Sequence, residues 1–159
     1  MAATEKAANR CLNPYTWPTI RLALYTAMRR SELLQLHWLD IDLEAQLATL
    51  HETKNGHART IPLTRDAIKV LATLPRQGQS VLPMTELALR QSWERLVKRA
   101  GVNGFRFHDF RHEAISRFFE MGLSVPEVAL ISSHRDARML FRYTHLKVEN
   151  VVTRLGRCV

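Results

Sequence analysis

Apolar positions along this chain change period twice, and the changes divide it into helical and extended parts. From Pro14 to about Thr26, Trp17, Ile20, Leu24 and Ala27 recur every three or four residues, the spacing of one helix face. A second helical stretch carries Leu33, Leu34 and Leu36. Between them Met28-Arg29-Arg30-Ser31 breaks the pattern, which puts Arg29 at or beside a helix junction. The period then falls to two. Leu39, Ile41 and Leu43 alternate with Asp40, Asp42 and Glu44, predicting a half-exposed strand. Residues 47–52 and 58–63 predict two more strands, joined by Lys54-Asn55-Gly56-His57, whose Asn-Gly pair favours a hairpin turn. Lys54 would stand at the mouth of that turn. Pro62 has no N–H to donate, which confines the last strand to an edge or an end.

Helical spacing then returns. Thr64 can cap a helix that carries Ile68, Leu71 and Leu74 and stops at Pro75. Residues 76–80 are loop-like and short enough to lie within one domain. Leu89, Trp93, Leu96 and Ala100 share a face of the next helix, with Gly101 as its stop. Another helix runs from about Asp109 to Met121, ending at Gly122, and Ser124-Val125-Pro126-Glu127 is a capping box for its successor. Asp136 can cap the helix that carries Tyr143, and Leu146 to about Leu155 predicts one more short helix. The pattern describes a mixed α+β chain, mainly α-helical, with a small three-stranded antiparallel sheet.

Composition narrows the class. The 159 residues are enough for one domain with a real core. No apolar run approaches the roughly 18 residues that span a bilayer. The start, Met-Ala-Ala-Thr-Glu-Lys, lacks a signal-peptide core, so a cytoplasmic location is expected. Cys11 and Cys158 lack metal-like spacing and do not suggest a disulfide framework. Lysine and arginine number 23 against 15 acidic residues, a net charge of +8, the electrostatic footprint of a protein that meets a polyanion.

Three clusters carry candidate chemistry. His108 and Arg111, at i and i+3, share one side of a helix start that Ile115 and Phe119 continue, so Arg111 would be held by a packed face. A guanidinium held there needs an anion. A phosphodiester suits its fork, and a neighbouring carboxylate would serve equally well. His108 and His112 also have the spacing of a zinc pair, without a third ligand at suitable spacing. Tyr143, flanked by Leu140 and Phe141, reads by itself as a core residue.

Taken together these clusters resemble the tyrosine recombinase (phage integrase) family. The local matches are Thr26-Ala-Met-Arg-Arg-Ser-Glu-Leu-Leu, Leu36-His-Trp-Leu-Asp-Ile-Asp, Thr53-Lys-Asn-Gly with Arg59-Thr-Ile-Pro-Leu, His108-Asp-Phe-Arg-His, and Ser133-His with Arg142-Tyr-Thr-His. They stand in family order over roughly residues 15–150. The resemblance implies an integrase-like catalytic core, helices packed around the sheet, and site-specific recombination or integration of double-stranded DNA through a 3′-phosphotyrosine. It assigns Tyr143 as nucleophile, Arg29 and Arg111 as clamps on the scissile phosphate, and His108 as proton acceptor or positioning group. Lys54 would be the general acid and His134 a hydrogen-bonding partner of the phosphate. Glu32 and Asp40 or Asp42 match the family as buttresses or surface.

The resemblance implies no cofactor and no metal, and self-association on DNA through the C-terminal helix, as a tetramer in a full-length enzyme. It also implies that residues 1–159 form the catalytic domain, without the family's N-terminal DNA-clamping domain. Two alternatives stand beside it: type IB topoisomerase-like relaxation, and a DNA-binding remnant without activity. The chain departs from the family at Ala27 and Ser133, where glycine is usual. If these sites need positive φ, each side chain costs on the order of 1 kcal/mol.

Overall fold

The computed structural model describes residues 13–51, 58–102, 104–134, 136–144 and 152. It divides into two compact units, Met1–Ala114 and Ile115–Val159.

The first unit opens with α1 (Thr16–Thr26), whose buried face includes Ile20 and Leu24. Thr26 closes it with its own side chain: the hydroxyl donates to Leu22 O at 2.7 Å and accepts from Met28 N at 3.3 Å. Arg29 then adopts extended backbone and caps α2 (Arg30–Leu34), so the polar break in the pattern is indeed a helix junction.

The first predicted strand is shorter than its alternation suggests. A 3-10 helix occupies Trp38–Asp40, and β1 is only Ile41–Asp42. Asp40 is the cause: its carboxylate accepts from His37 N at 3.1 Å and closes a turn where a pleat would have begun. Leu39, the first apolar position of the alternation, is consequently 92% exposed. β2 (Leu47–Leu50) and β3 (Arg59–Pro62) follow, in the antiparallel order β1-β2-β3. Pro62 ends an edge strand, as its missing donor requires. Ala48 faces Ile61 and Leu50 faces Arg59 across the β2–β3 ladder. The buried side of the sheet therefore carries Ala48, Leu50 and Ile61, and period two puts Arg59 on it as well. The predicted turn at Lys54-Asn55-Gly56-His57 lies outside the described residues.

Thr64 accepts from Ala67 N at 3.2 Å and starts α3 (Arg65–Thr73), which packs on α1. Residues 76–80 form a loop tied back by Trp38 N–H to Gln79 O at 2.9 Å. Helix α4 (Glu86–Ala100) ends at Gly101 with φ +65°, a left-handed stop that glycine adopts at low cost. One core joins α1, the sheet, α3 and Trp93 of α4. Trp93 also gathers Phe107 and Phe110, with ring centroids 6.1 and 5.2 Å away, and Phe107 meets Phe110 at 5.7 Å. Edge-to-face rings of this kind contribute about 0.5–1.5 kcal/mol per pair beyond their buried area. They fix the approach to α5 (Asp109–Glu120), the helix on whose first turn His108 and Arg111 depend.

In the second unit α6 (Val125–Ser132) begins at the predicted capping box, with Glu127 accepting from the Ser124 backbone N–H and hydroxyl, both at 2.6 Å. Asp136 caps the segment that carries Tyr143, accepting from Arg138 N at 2.9 Å. That segment, Ala137–Tyr143, is a 3-10 helix packed on α6. The short helix expected from Leu146 to Leu155 falls outside the described residues apart from Val152, and Cys11 and Cys158 lie outside them entirely. No described helix is long and apolar enough to cross a membrane.

Candidate active site

Arg29, His108 and Arg111 come together in the first unit around one cleft of roughly 340 Å³, which Arg30 and Glu86 also line. A depression of about 390 Å³ elsewhere, lined by His37, Asp40 and His51, is larger but has no arginine among its described lining residues. Chemistry, not size, singles out the first.

Arg29 and Arg111 are each held from behind. Arg111 is 5% exposed, and its Nη1 donates to the carbonyl oxygen of Ala27. Ala27 presents that carbonyl from the left-handed region, φ +53°, as the cap that ends α1. Arg29, two residues on, is held by Glu32. One carboxylate oxygen accepts from Arg29 N at 2.7 Å and the other from Arg29 Nη1 at 2.8 Å. Glu32 is 3% exposed, so the buttress expected at this position is a buried one. Arg30 pairs with Glu86 across the cleft rim. The cleft thus gathers three guanidinium groups, with Glu86 at its rim and Glu32 behind Arg29, and the guanidinium forks suit an anion with several oxygens.

His108 lies at the exposed edge of this cationic group. Partial burial holds its pKa below the ordinary 6.5, and the like charges of His112 and Arg111 push the same way. A ring that stays neutral at pH 7 can accept a proton. The His108 and His112 rings meet edge-on with centroids 5.1 Å apart, and no cluster of three or more His, Cys, Asp or Glu side chains that could hold a metal occurs among the described residues.

His134 and Tyr143 belong to the second unit, both partly buried. The Ser132 hydroxyl donates to Val128 O at 2.6 Å and lies 2.7 Å from His134 Nδ1. A hydroxyl has one proton, so with Val128 O as its acceptor the second contact runs from Nδ1–H to Ser132 Oγ. That contact sets the ring's orientation. Ser133, between them, has φ +58°. Both family departures, Ala27 and Ser133, therefore occupy the left-handed backbone that favours glycine. Lys54 lies outside the described residues.

Sequence reasoning missed three contributors. Arg30 and Glu86 line the cleft, yet a basic residue next to Arg29 and a first-turn glutamate carry no distinguishing pattern. Arg59 donates to Glu32 Oε2 at 3.1 Å, and its signal was available: an arginine in phase with Ile61 on an apolar strand face.

Solved structures share this architecture. The catalytic domain of bacteriophage HP1 integrase matches with a TM-score of 0.72 at 24% identity, over 91% of this chain and 84% of that one. The Tn1549 transposon integrase in complex with circular intermediate DNA matches with a TM-score of 0.76 at 17% identity, over 99% and 64%. The fold is that of integrase catalytic domains. The chain matches the phage integrase family over residues 1–150 and belongs to it. The shufflon-specific DNA recombinase of Escherichia coli is 47% identical over 136 residues, 84% of this chain and 35% of that protein. The integrase of Salmonella phage P22 is 27% identical over 162 residues, 89% of this chain and 42% of the relative. The chain thus spans less than half the length of either.

Proposed function

We propose that residues 1–159 form the catalytic domain of a site-specific tyrosine recombinase that cuts and rejoins double-stranded DNA. The observation that carries this reading is the cleft shared by Arg29, His108 and Arg111, three of the family's catalytic positions, built on the integrase fold.

Tyr143 Oη attacks the scissile phosphorus, the bond from phosphorus to the 5′ oxygen breaks, and the DNA 3′ end becomes linked to the tyrosine. Arg29 and Arg111 neutralise charge on the non-bridging oxygens as phosphorus becomes five-coordinate. Donors fixed in place before the reaction are worth roughly 10²–10³ in rate apiece. His108 accepts or positions the phenolic proton, His134 contacts a phosphate oxygen, and Lys54 gives a proton to the departing 5′ oxygen. A 5′-hydroxyl then attacks the phosphotyrosine and reverses the steps, so rejoining draws on the stored ester bond and not on ATP. On DNA, copies associate through the segment of residues 146–155, and the protein works at the nucleoid.

Incubation with nicked or supercoiled duplex DNA followed by denaturing electrophoresis tests this. A covalent adduct is expected from the unsubstituted chain and none from Tyr143→Phe. An adduct that persists in Tyr143→Phe means that another residue attacks. No adduct with any DNA leaves a binding protein without strand-cutting activity. Relaxation of supercoils without strand exchange would favour a topoisomerase-like reaction.

A further inference from the structure

We propose that Arg59 is a positioning residue for Arg29, acting through the buried carboxylate of Glu32; the inference rests on the reading of Arg29 as a phosphate clamp. Glu32 holds Arg29 by both backbone and guanidinium, and Arg59 Nη2 holds Glu32 on the same oxygen that takes the Arg29 backbone N–H. The side chains of Glu32 and Arg59 are 2% and 13% exposed. One carboxylate therefore links β3 to the helix junction at Arg29.

Stability does not account for an arginine at this position. Its neighbours on the buried face of the sheet are Leu50, directly opposite, and Ile61. Arg59 Nε and Nη1 are buried with no hydrogen-bond acceptor among the described residues. Donors buried without acceptors are costly, and it is whole buried ion pairs, not single partners, that apolar residues often replace without loss. Burial and the nearby Arg29 charge both work against Arg59's proton, while Glu32 favours it.

What the arginine does account for is the charge at the cleft. Glu32 with Arg29 alone is a neutral, closed pair, in which the carboxylate offsets the charge that a phosphate would meet. A second guanidinium on Glu32 restores a net positive charge. It also fixes the carboxylate, so that Arg29 is presented in one orientation. Lysine would supply the charge without the planar fork.

The test is a double-mutant cycle on this chain, with single-turnover cleavage of a nicked duplex and the Kd for the same duplex measured side by side. Arg59→Met is expected to slow cleavage about 10-fold to 100-fold, the scale of a displaced catalytic group. Kd should stay within about threefold, and Arg59→Lys should fall between Met and the unsubstituted chain. In a Glu32→Gln background Arg59→Met should add less than about threefold, because the route through the carboxylate is already cut. Independent, multiplying effects overturn the proposal, as does a rate loss that only follows the folded fraction in thermal melts. A second readout needs no DNA: hydrogen exchange at the Arg29 side-chain N–H groups, assigned by Arg29→Lys. Their protection should fall in Arg59→Met, and unchanged protection overturns the proposal. If the unsubstituted chain cuts no DNA, the recombinase reading fails, and this exchange measurement still decides the role of Arg59.

Discussion

The two units carry the proposed chemistry on supports of opposite kind. In the first, Arg111 is anchored to a backbone carbonyl at the end of α1 and Arg29 to a buried carboxylate, with the Trp93 ring cluster fixing the entry to α5. In the second, Tyr143 ends a 3-10 helix, a form with poorer hydrogen-bond geometry than an α-helix. The contrast fits the work proposed for each. Donors that meet developing charge are most effective when they do not reorganise during the reaction. A nucleophile travels as its bond to phosphorus forms and breaks, and 3-10 hydrogen bonds, with their poorer geometry, are weaker ties against such a shift.

The two units should differ most visibly at Tyr143. Tyr143→Phe removes one hydroxyl from a partly buried side chain, so adduct formation should cease while the melting temperature stays within about 2 °C. A fall of 10 °C would show that the tyrosine supports its unit and is not merely carried by it. Arg29→Lys and Arg111→Lys keep the charge and lose the fork. Each should slow single-turnover cleavage about 10²-fold to 10³-fold. If either lysine variant cuts at the original rate, charge alone suffices and the anchoring of the guanidinium is incidental.

A smaller effect is expected from pH. His108 has a lowered pKa in the fold, so in mildly acid solution the unfolded chain takes up this proton first. The unfolded state then binds more protons than the folded one, and stability is lost as pH falls from about 6.5 towards the folded value. NMR titration should place the His108 midpoint below 6.5, and His112→Ala should move it upward by removing a like charge. A midpoint above 6.5 would mean that an acidic partner, not burial and the neighbouring cations, governs the ring.

How far the sequence disclosed this depends on how local each signal is. Capping at Thr64, Ser124 and Asp136, the break at Arg29 and the stop at Gly101 are decided within a few residues, and each was legible. The first strand was misjudged because alternation at Leu39, Ile41 and Leu43 cannot reveal that Asp40 captures His37 N–H and folds the start into a turn. Arg29, His108 and Arg111 could be named from motifs, but their convergence needs contacts between residues far apart in sequence, such as Arg111 with Ala27. Arg59 carried a signal, its phase with Ile61 on an apolar strand face, but that signal did not name a partner. Glu32 stands 27 residues earlier in the chain, and strand periodicity alone does not say which partner a buried charge will find.

The finest test of the comparison uses the two residues that occupy left-handed backbone, one in each unit. Ala27 has φ +53° and Ser133 φ +58°, and each ends a helix by donating its N–H four residues back, at 3.1 and 2.7 Å. Glycine relieves about 1–2 kcal/mol of steric cost at such a site and returns about 0.5–1 kcal/mol through greater freedom of the unfolded chain. Ser133 is partly exposed, so Ser133→Gly should show the net gain, a rise of about 1–4 °C in melting temperature. Ala27 is fully buried, and removing its methyl gives up about 0.8 kcal/mol of burial, which cancels most of the relief. Ala27→Gly should therefore shift the melting temperature by less than about 1 °C. Since neither substitution removes a catalytic group, cleavage should change less than about threefold in both. An equal rise in the two variants would show that the methyl of Ala27 contributes nothing to the core, and that the first unit holds its arginines more loosely than their burial implies.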